Sequence, residues 1–286
     1  MEVEEMNERS EPRVWTKEKA RITLPVRKNS GHKGTYGTGL LLAGSADMPG
    51  AALLSGVGAL RSGIGKLVIG TDKEVIAHAV SAIPEATYLS DGLQKAGDGS
   101  VELHDYKAIA AGPGIEPNDR TEKAIQMILK TTCPVILDAG ALSERSYEMR
   151  DAPTILTPHP GEFSRITGLE VKEIQENRAL AASEWAMKWE VTIVLKGNET
   201  VIAFPDGETW INATGDGALA KGGTGDTLTG IMLGMMCCHE DWRHAVLNAV
   251  HLHGACAKKW TLTRSAHTLL AHEICDLLPE VWKSYE

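Results

Sequence analysis

Apolar positions along the chain switch repeatedly between a strand-like and a helix-like period, and that alternation predicts the architecture. Short apolar runs of strand character fall at 40–43, 66–69, 108–111, 135–137, 154–156, 191–195 and 201–204. Most are separated by stretches of helical spacing. Pro49 suits the first turn of a helix over 51–62, where its missing N–H costs little, and Gly63 stands where a helix end favours positive φ. Trp242, Ala245, Val246, Ala249, Val250 and His253 recur at three- and four-residue intervals, marking one apolar face of a later helix. The pattern predicts an α/β fold with a mainly parallel central sheet and helices on both faces, because parallel strands need a crossover to return the chain. Ligands in such sheets lie beyond the carboxyl ends of the strands.

Residues 1–20 are charge-rich and unpatterned, and are expected to form an N-terminal tail or a short leading helix rather than a core element. The remainder, 21–286, is expected to be a single domain, since 43% hydrophobic content over this length supplies one large core. The window 40–60 is long enough to cross a bilayer, but Asp47, Pro49 and four glycines divide it into strand, turn and helix. An excess of 38 acidic over 29 basic residues, a formal charge of -9, opposes nonspecific binding to nucleic acid or anionic membranes. Cysteines 133, 237, 238, 256 and 275 form no CxxC pair, and so read as reduced thiols of a cytoplasmic protein. The acidic stretch 1–11 lacks the features of a secretory signal.

The most informative segment is Lys221-Gly222-Gly223-Thr224-Gly225-Asp226, followed by an apolar run over 227–236. Glycines ahead of a helix let backbone N–H groups converge on an anion, and the helix dipole adds positive potential there. Asp226 then falls at the helix mouth, where a carboxylate either accepts a proton from a substrate hydroxyl or caps the helix; the glycine cluster favours the first. The loop is not a Walker A motif. Lys196 ends an apolar strand, as a cation for phosphate or as a solvated strand-end lysine. His159, stiffened between Pro158 and Pro160, suits positioning better than proton transfer. Asp138 ends its strand on the ligand side and either orients Mg²⁺ through water or caps a loop. Gly112-Pro113-Gly114 can bring backbone close to a ligand, and the basic, glycine-rich His32–Gly37 stretch could close over phosphate. Trp185 and Trp189, at i,i+4, look structural.

These segments resemble the ribokinase-like superfamily and, within it, the ADP/ATP-dependent NAD(P)H-hydrate dehydratases. The resemblance rests on His32-Lys-Gly-Thr-Tyr-Gly37, Leu41-Leu-Ala-Gly-Ser45, Leu156-Thr-Pro-His-Pro-Gly-Glu-Phe163, Val194-Leu-Lys-Gly-Asn-Glu-Thr200 and the GGTGD loop, in that order. It implies a lyase of metabolite repair. ADP or ATP, with Mg²⁺, phosphorylates the hydroxyl of hydrated NADH or NADPH, and phosphate is eliminated to regenerate the cofactor. Carried over by residue, it implies substrate contacts at Ala43, Gly112, Gly114, His159 and Asp226. Nucleotide contacts fall at Lys196, Gly197, Asn198, Glu199, Thr200 and through Gly222, Gly223, Thr224 and Gly225. It also implies a homotetramer, for which the apolar segments 246–257 and 269–278 are candidate interfaces or ordinary core, and a separate epimerase, because no epimerase domain precedes residue 20. Two positions depart from the family pattern. Gly140 stands where a second aspartate is usual, and Asp216 lies in a segment that usually reads Asn-Pro-Gly-Met, where it would alter metal or phosphate contacts.

Two other readings compete. A small-molecule kinase of the hydroxymethylpyrimidine or hydroxyethylthiazole type shares the phosphate machinery and differs in the substrate loop, so PHPGE argues against it. A nucleotide-sensing module needs no carboxylate at Asp226.

Overall fold

The computed structural model describes residues 11–147 and 150–286. In chain order the strands are β1 (Arg13–Val14), β2 (Thr38–Leu42), β3 (Lys66–Thr71), β4 (Thr87–Ser90), β5 (Ala108–Ala111), β6 (Val135–Leu137), β7 (Thr154–Leu156), β8 (Thr192–Leu195), β9 (Thr200–Ala203) and β10 (Thr209–Asn212). They form one sheet ordered β1-β10-β9-β8-β7-β6-β5-β2-β3-β4. From β4 across to β8 all neighbours are parallel, while β9 pairs antiparallel with both β8 and β10. The chain runs outward from β2 to β3 and β4, then returns to β5 on the other side of β2, so a topological switch point lies between β2 and β5.

The helices are α1 (Lys17–Thr23), α2 (Pro49–Arg61), α3 (Lys73–Ala82), α4 (Gly92–Asp98), α5 (Asp119–Ile128), α6 (Pro160–Thr167), α7 (Val171–Glu176), α8 (Arg178–Trp189), α9 (Thr224–Cys238), α10 (Trp242–Thr261) and α11 (Ala271–Lys283). Strand side chains alternate between two cores, as the two-residue period of a strand requires. Leu41, Ala108 and Ala110 join the core formed with α2, α9, α10 and α11, whereas Leu40, Leu42, Ile109 and Ala111 join the one formed with α5, α6 and α8. The near-continuous apolar runs of the sequence follow from burial on both faces. Helix α9 is apolar almost all round because it is enclosed by α2, α10, α11 and the sheet. Its Gly230 lies so close to α2 that a Cβ there would stand 1.9 Å from the Ser55 carbonyl oxygen. This contact seats α9 against α2, and the N-terminus of α9 lies at the carboxyl edge of the sheet.

All seven expected strands and the Pro49 helix form, with Pro49 in its first turn and Gly63 at φ +93° beyond its end. The window 40–60 is strand, turn and helix, and no helix among the described residues is long and apolar enough to cross a membrane. All five cysteines are free thiols. The apolar faces of 246–257 and 269–278 are spent on the chain's own core. Trp185 and Trp189 pack edge to face with centroids 4.6 Å apart.

Two expectations need correcting. The leading segment does contribute to the core: Trp15 is 4% exposed, stands edge-on to Trp210, and donates its indole N–H to Asn248 Oδ1 at 3.0 Å. Its single aromatic anchor is hidden among charges, and residues 1–10 lie outside the described residues. The His32–Gly37 stretch does not close over a phosphate at the carboxyl edge. It leads into β2 at the amino edge, where a Cβ on Gly37 would approach the carbonyl of Cys237 at the far end of α9.

Candidate active site

The carboxyl ends of β6, β7 and β8 and the N-terminus of α9 enclose a cavity of ≈ 580 Å³. Each strand delivers one element of chemistry. Asp138 follows β6, His159 caps α6 just after β7, and Lys196 follows β8. From the opposite side, the Lys221–Asp226 loop opens α9.

Asp226 is the third residue of α9, whose cap is Gly223 at φ +87°, so no side chain caps this helix and the capping alternative for Asp226 falls. Helix geometry leaves the first-turn amides of Gly225 and Asp226 without an intrahelical acceptor, so they are available to an anion. The Thr224 hydroxyl ties the loop together by donating to the carbonyls of Leu219 and Lys221 at 2.8 and 2.9 Å. His253, on α10, braces the same turn. Burial pushes its pKa down to about 4, so the ring is neutral, and because a carbonyl only accepts, Nε2 carries the proton donated to Thr224 O at 2.9 Å.

Lys196 is no solvated strand-end lysine. Its side chain is 18% exposed, and Nζ lies 2.7 Å from Asp138 Oδ1 and 3.8 Å from Glu162 Oε2. A Cβ built on Gly225 would stand 3.3 Å from this ammonium, which places the cation beside the anion loop. Burial opposes the charge, but Asp138, then Glu162 and Asp226, outweigh it and raise the lysine's affinity for its proton. Asp138 lines the cavity and does not cap a loop. Oδ1 accepts from Lys196 and Oδ2 from Thr229 Oγ1 at 2.8 Å. Asp226 is pushed up to about 6, first by burial and then by Asp138 and Glu162, against the pull of Lys196. It therefore ionises in the range where a general base works.

His159 is the N-cap of α6. Its Nδ1 accepts from the amides of Gly161 and Glu162 at 3.0 and 3.2 Å, while Glu162 Oε2 accepts from the His159 amide at 2.8 Å. The ring's Nδ1 is occupied and Nε2 stands 3.6 Å from Glu162 Oε2, an arrangement that suits positioning.

The structure brings most of the candidate residues to one place. Asp226, His159, Lys196, Gly197, Asn198, Thr200, Gly223, Thr224 and Gly225 all line the cavity; Glu199 and Gly222 lie in the same two loops without lining it. Ala43, Gly112 and Gly114 do not line it. They sit at the β2/β5 switch point, where the Gly44 amide donates to Pro113 O at 2.8 Å and Ala43 is fully buried. Gly112, at φ +130°, is there because a Cβ would fall 1.7 Å from the Asp138 carbonyl oxygen.

The two departures also find explanations. A Cβ on Gly140 would stand 1.8 Å from Ile115 O, so this backbone has no room for an aspartate there. Asp216 lines the cavity, and its carboxylate accepts from the Ala218 amide and the Thr261 hydroxyl, each at 3.0 Å. Sequence reasoning passed over Glu162, although it lies inside the PHPGE segment, and over Asn212 and His253, which line the cavity from β10 and α10.

The family model described as NAD(P)H-hydrate dehydratase matches residues 39–280. The chain is 63% identical to the ADP-dependent (S)-NAD(P)H-hydrate dehydratase of Bacillus subtilis over 95% of this chain and 98% of that protein. It is 32% identical to the bifunctional NAD(P)H-hydrate repair enzyme Nnr of Moorella thermoacetica, covering 96% of this chain but 54% of that longer protein. The crystal structure of the Bacillus subtilis ADP/ATP-dependent NAD(P)H-hydrate dehydratase co-crystallised with ATP and Mg²⁺ superposes with a TM-score of 0.94 at 62% identity, over 97% of this chain and 100% of that one. Sheet order, anion loop and similarity over nearly the whole length agree, and the chain belongs to the NAD(P)H-hydrate dehydratase family.

Proposed function

We propose that the chain is an ADP- or ATP-dependent (S)-NAD(P)H-hydrate dehydratase that returns hydrated NADH and NADPH to the reduced cofactor. One observation carries this reading: a buried ammonium, the free amides of a helix N-terminus and a carboxylate of raised pKa meet in one cavity. Hydroxide is a poor leaving group and phosphate a much better one. Asp226 accepts the proton of the ring hydroxyl as that oxygen bonds to the terminal phosphorus, and the bond from phosphorus to the nucleotide's bridging oxygen breaks. Lys196 and the amides of Gly225 and Asp226 stabilise the charge that develops on the transferred group. The ring nitrogen's lone pair then expels phosphate, a proton leaves the neighbouring ring carbon, and the double bond is restored.

In this reading Lys196, Gly197, Asn198, Glu199 and Thr200, with Gly222, Gly223, Thr224 and Gly225, hold the nucleotide. His159 and Asp226 hold the damaged ring, and Ala43, Gly112 and Gly114 shape the switch point beside which the remoter part of the substrate lies. Magnesium fits this donor set. Among the described residues no three carboxylate, histidine or cysteine side chains form a metal cage, and Mg²⁺ commonly keeps much of its water and binds through substrate phosphates. Glu162 and Asp226 would face its hydration shell, and the ion would neutralise charge on the phosphates. Epimerisation of the hydrate would be supplied by another polypeptide, and the chain would act in the cytoplasm. Exposed Ile22 and Val26 suit the contacts of a homotetramer.

Incubating the purified chain with hydrated NADH, Mg²⁺ and either ADP or ATP tests the reaction. Return of dihydronicotinamide absorbance with stoichiometric phosphate is expected; folded protein that recovers neither with either donor would overturn it.

A further inference from the structure

We propose that Asp138 is a positioning residue of this site: anchored to α9 by Thr229, its carboxylate holds the Lys196 ammonium over the glycine loop where the transferred phosphoryl group arrives. The inference rests on the reaction proposed above and adds to it the residue that sets the geometry of its cation.

The geometry assigns this role in three steps. Asp138 is 1% exposed, and each of its oxygens has a distinct partner, Lys196 at 2.7 Å and the Thr229 hydroxyl at 2.8 Å. Thr229 belongs to the helix whose first turn carries the anion-binding amides, so the bond ties the cation to the frame of the anion loop. A lysine side chain is flexible and its ammonium acts as a point charge; without an acceptor at its base it would retain no fixed place opposite Gly225. The remaining short-range acid, Glu162, is engaged by the His159 amide and stands 3.8 Å from Nζ, too far to replace a 2.7 Å contact.

The test uses Asp138→Asn and Thr229→Val in the full chain, each alone and combined with Lys196→Ala. Turnover of hydrated NADH is read as kcat and KM, and the affinity for ATP with Mg²⁺ by calorimetry. Asp138→Asn should lower kcat by about a hundredfold, on the scale of losing one preorganised charge stabiliser, and weaken ATP binding by about tenfold. It should change neither kcat nor affinity further in the Lys196→Ala background. Thr229→Val should show the same pattern at about tenfold, with Thr229→Ser recovering most of the loss. It also serves if Asp138→Asn fails to fold. A loss undiminished in the Lys196→Ala background would make Asp138 a purely structural residue and overturn the proposal. If the wild-type chain turns over no hydrate, the reaction is wrong, and non-additivity of ATP affinity alone then supports or overturns the role of Asp138.

Discussion

The switch point between β2 and β5 and the cavity beyond β6, β7 and β8 lie on the same edge of one sheet but are built from different materials. At the switch point the candidate residues are close-packed backbone. Gly112 and Gly114 are held at φ +130° and +64° and Ala43 is fully buried, so these three shape the turn from behind a cleft lined by Ser45, Asp72, Asn118 and Arg120. In the cavity the contacts are charged side chains within a few ångströms of one another, and one carboxylate, Asp226, is pushed up to about 6. The difference separates scaffolding from chemistry. Close-packed backbone fixes shape, whereas a buried charge cluster costs folding stability and gains reactivity.

The comparison is broken most severely at Gly112. Gly112→Ala places a Cβ against the Asp138 carbonyl and asks alanine for a conformation it rarely adopts. A loss of about 4 kcal/mol of folding stability is expected, read by denaturant unfolding. Because the displaced strand end also carries Asp138, activity should fall with it. A variant as stable as wild type would mean that the two strand ends are not in contact.

Asp226→Asn attacks the other region and should do the reverse. Turnover should fall by about a hundredfold or more with KM little changed, as loss of a positioned base does. Near wild-type turnover would remove Asp226 from the role of base. In the wild type, kcat/KM should fall tenfold per unit below about pH 6, where Asp226 takes up its proton. The sign for stability is opposite. The folded pKa lies above the unfolded one, so this group favours folding when protonated, and that contribution is lost as pH rises through about 6. Asp226→Asn should therefore stabilise the chain at neutral pH by about 2 kcal/mol, seen as a higher Tm; a lower Tm would mean that the ionised carboxylate is well solvated or paired.

The same contrast decides what could be read from the sequence. The anion loop and the PHPGE turn are local: glycines, prolines and a helix start lie within a few residues, and their conformations follow from those residues. Seven strands were legible because burial on both faces makes them continuous apolar runs. The charge network was not legible. Asp138 meets Lys196 across 58 positions and Thr229 across 91, so neither partner marks the other in the chain. His253 shows in the sequence only as part of an apolar helix face; its bond to Thr224 depends on how α10 crosses the end of α9. The His32–Gly37 stretch was misread because glycine and charge content does not say which end of a strand a loop occupies. Its place ahead of β2 does, since a segment entering a parallel strand lies at the edge opposite the site.

His159 lies between the two materials, a side chain whose main structural bonds are to backbone, and it provides the mildest test. Nδ1 accepts the amides of Gly161 and Glu162, and Glu162 in turn stands near Lys196, so the ring anchors the turn that carries an acid of the charge cluster. His159→Ala should cost about 1 kcal/mol of stability through the lost cap and raise the apparent KM for the hydrated cofactor about tenfold, with kcat changed less. His159→Asn, which can cap the helix but does not extend an Nε2–H, separates the two roles. It should restore stability and leave KM high. If it restores both, the ring acts only by holding α6; if kcat falls while KM does not move, His159 takes part in proton transfer and belongs with Asp226.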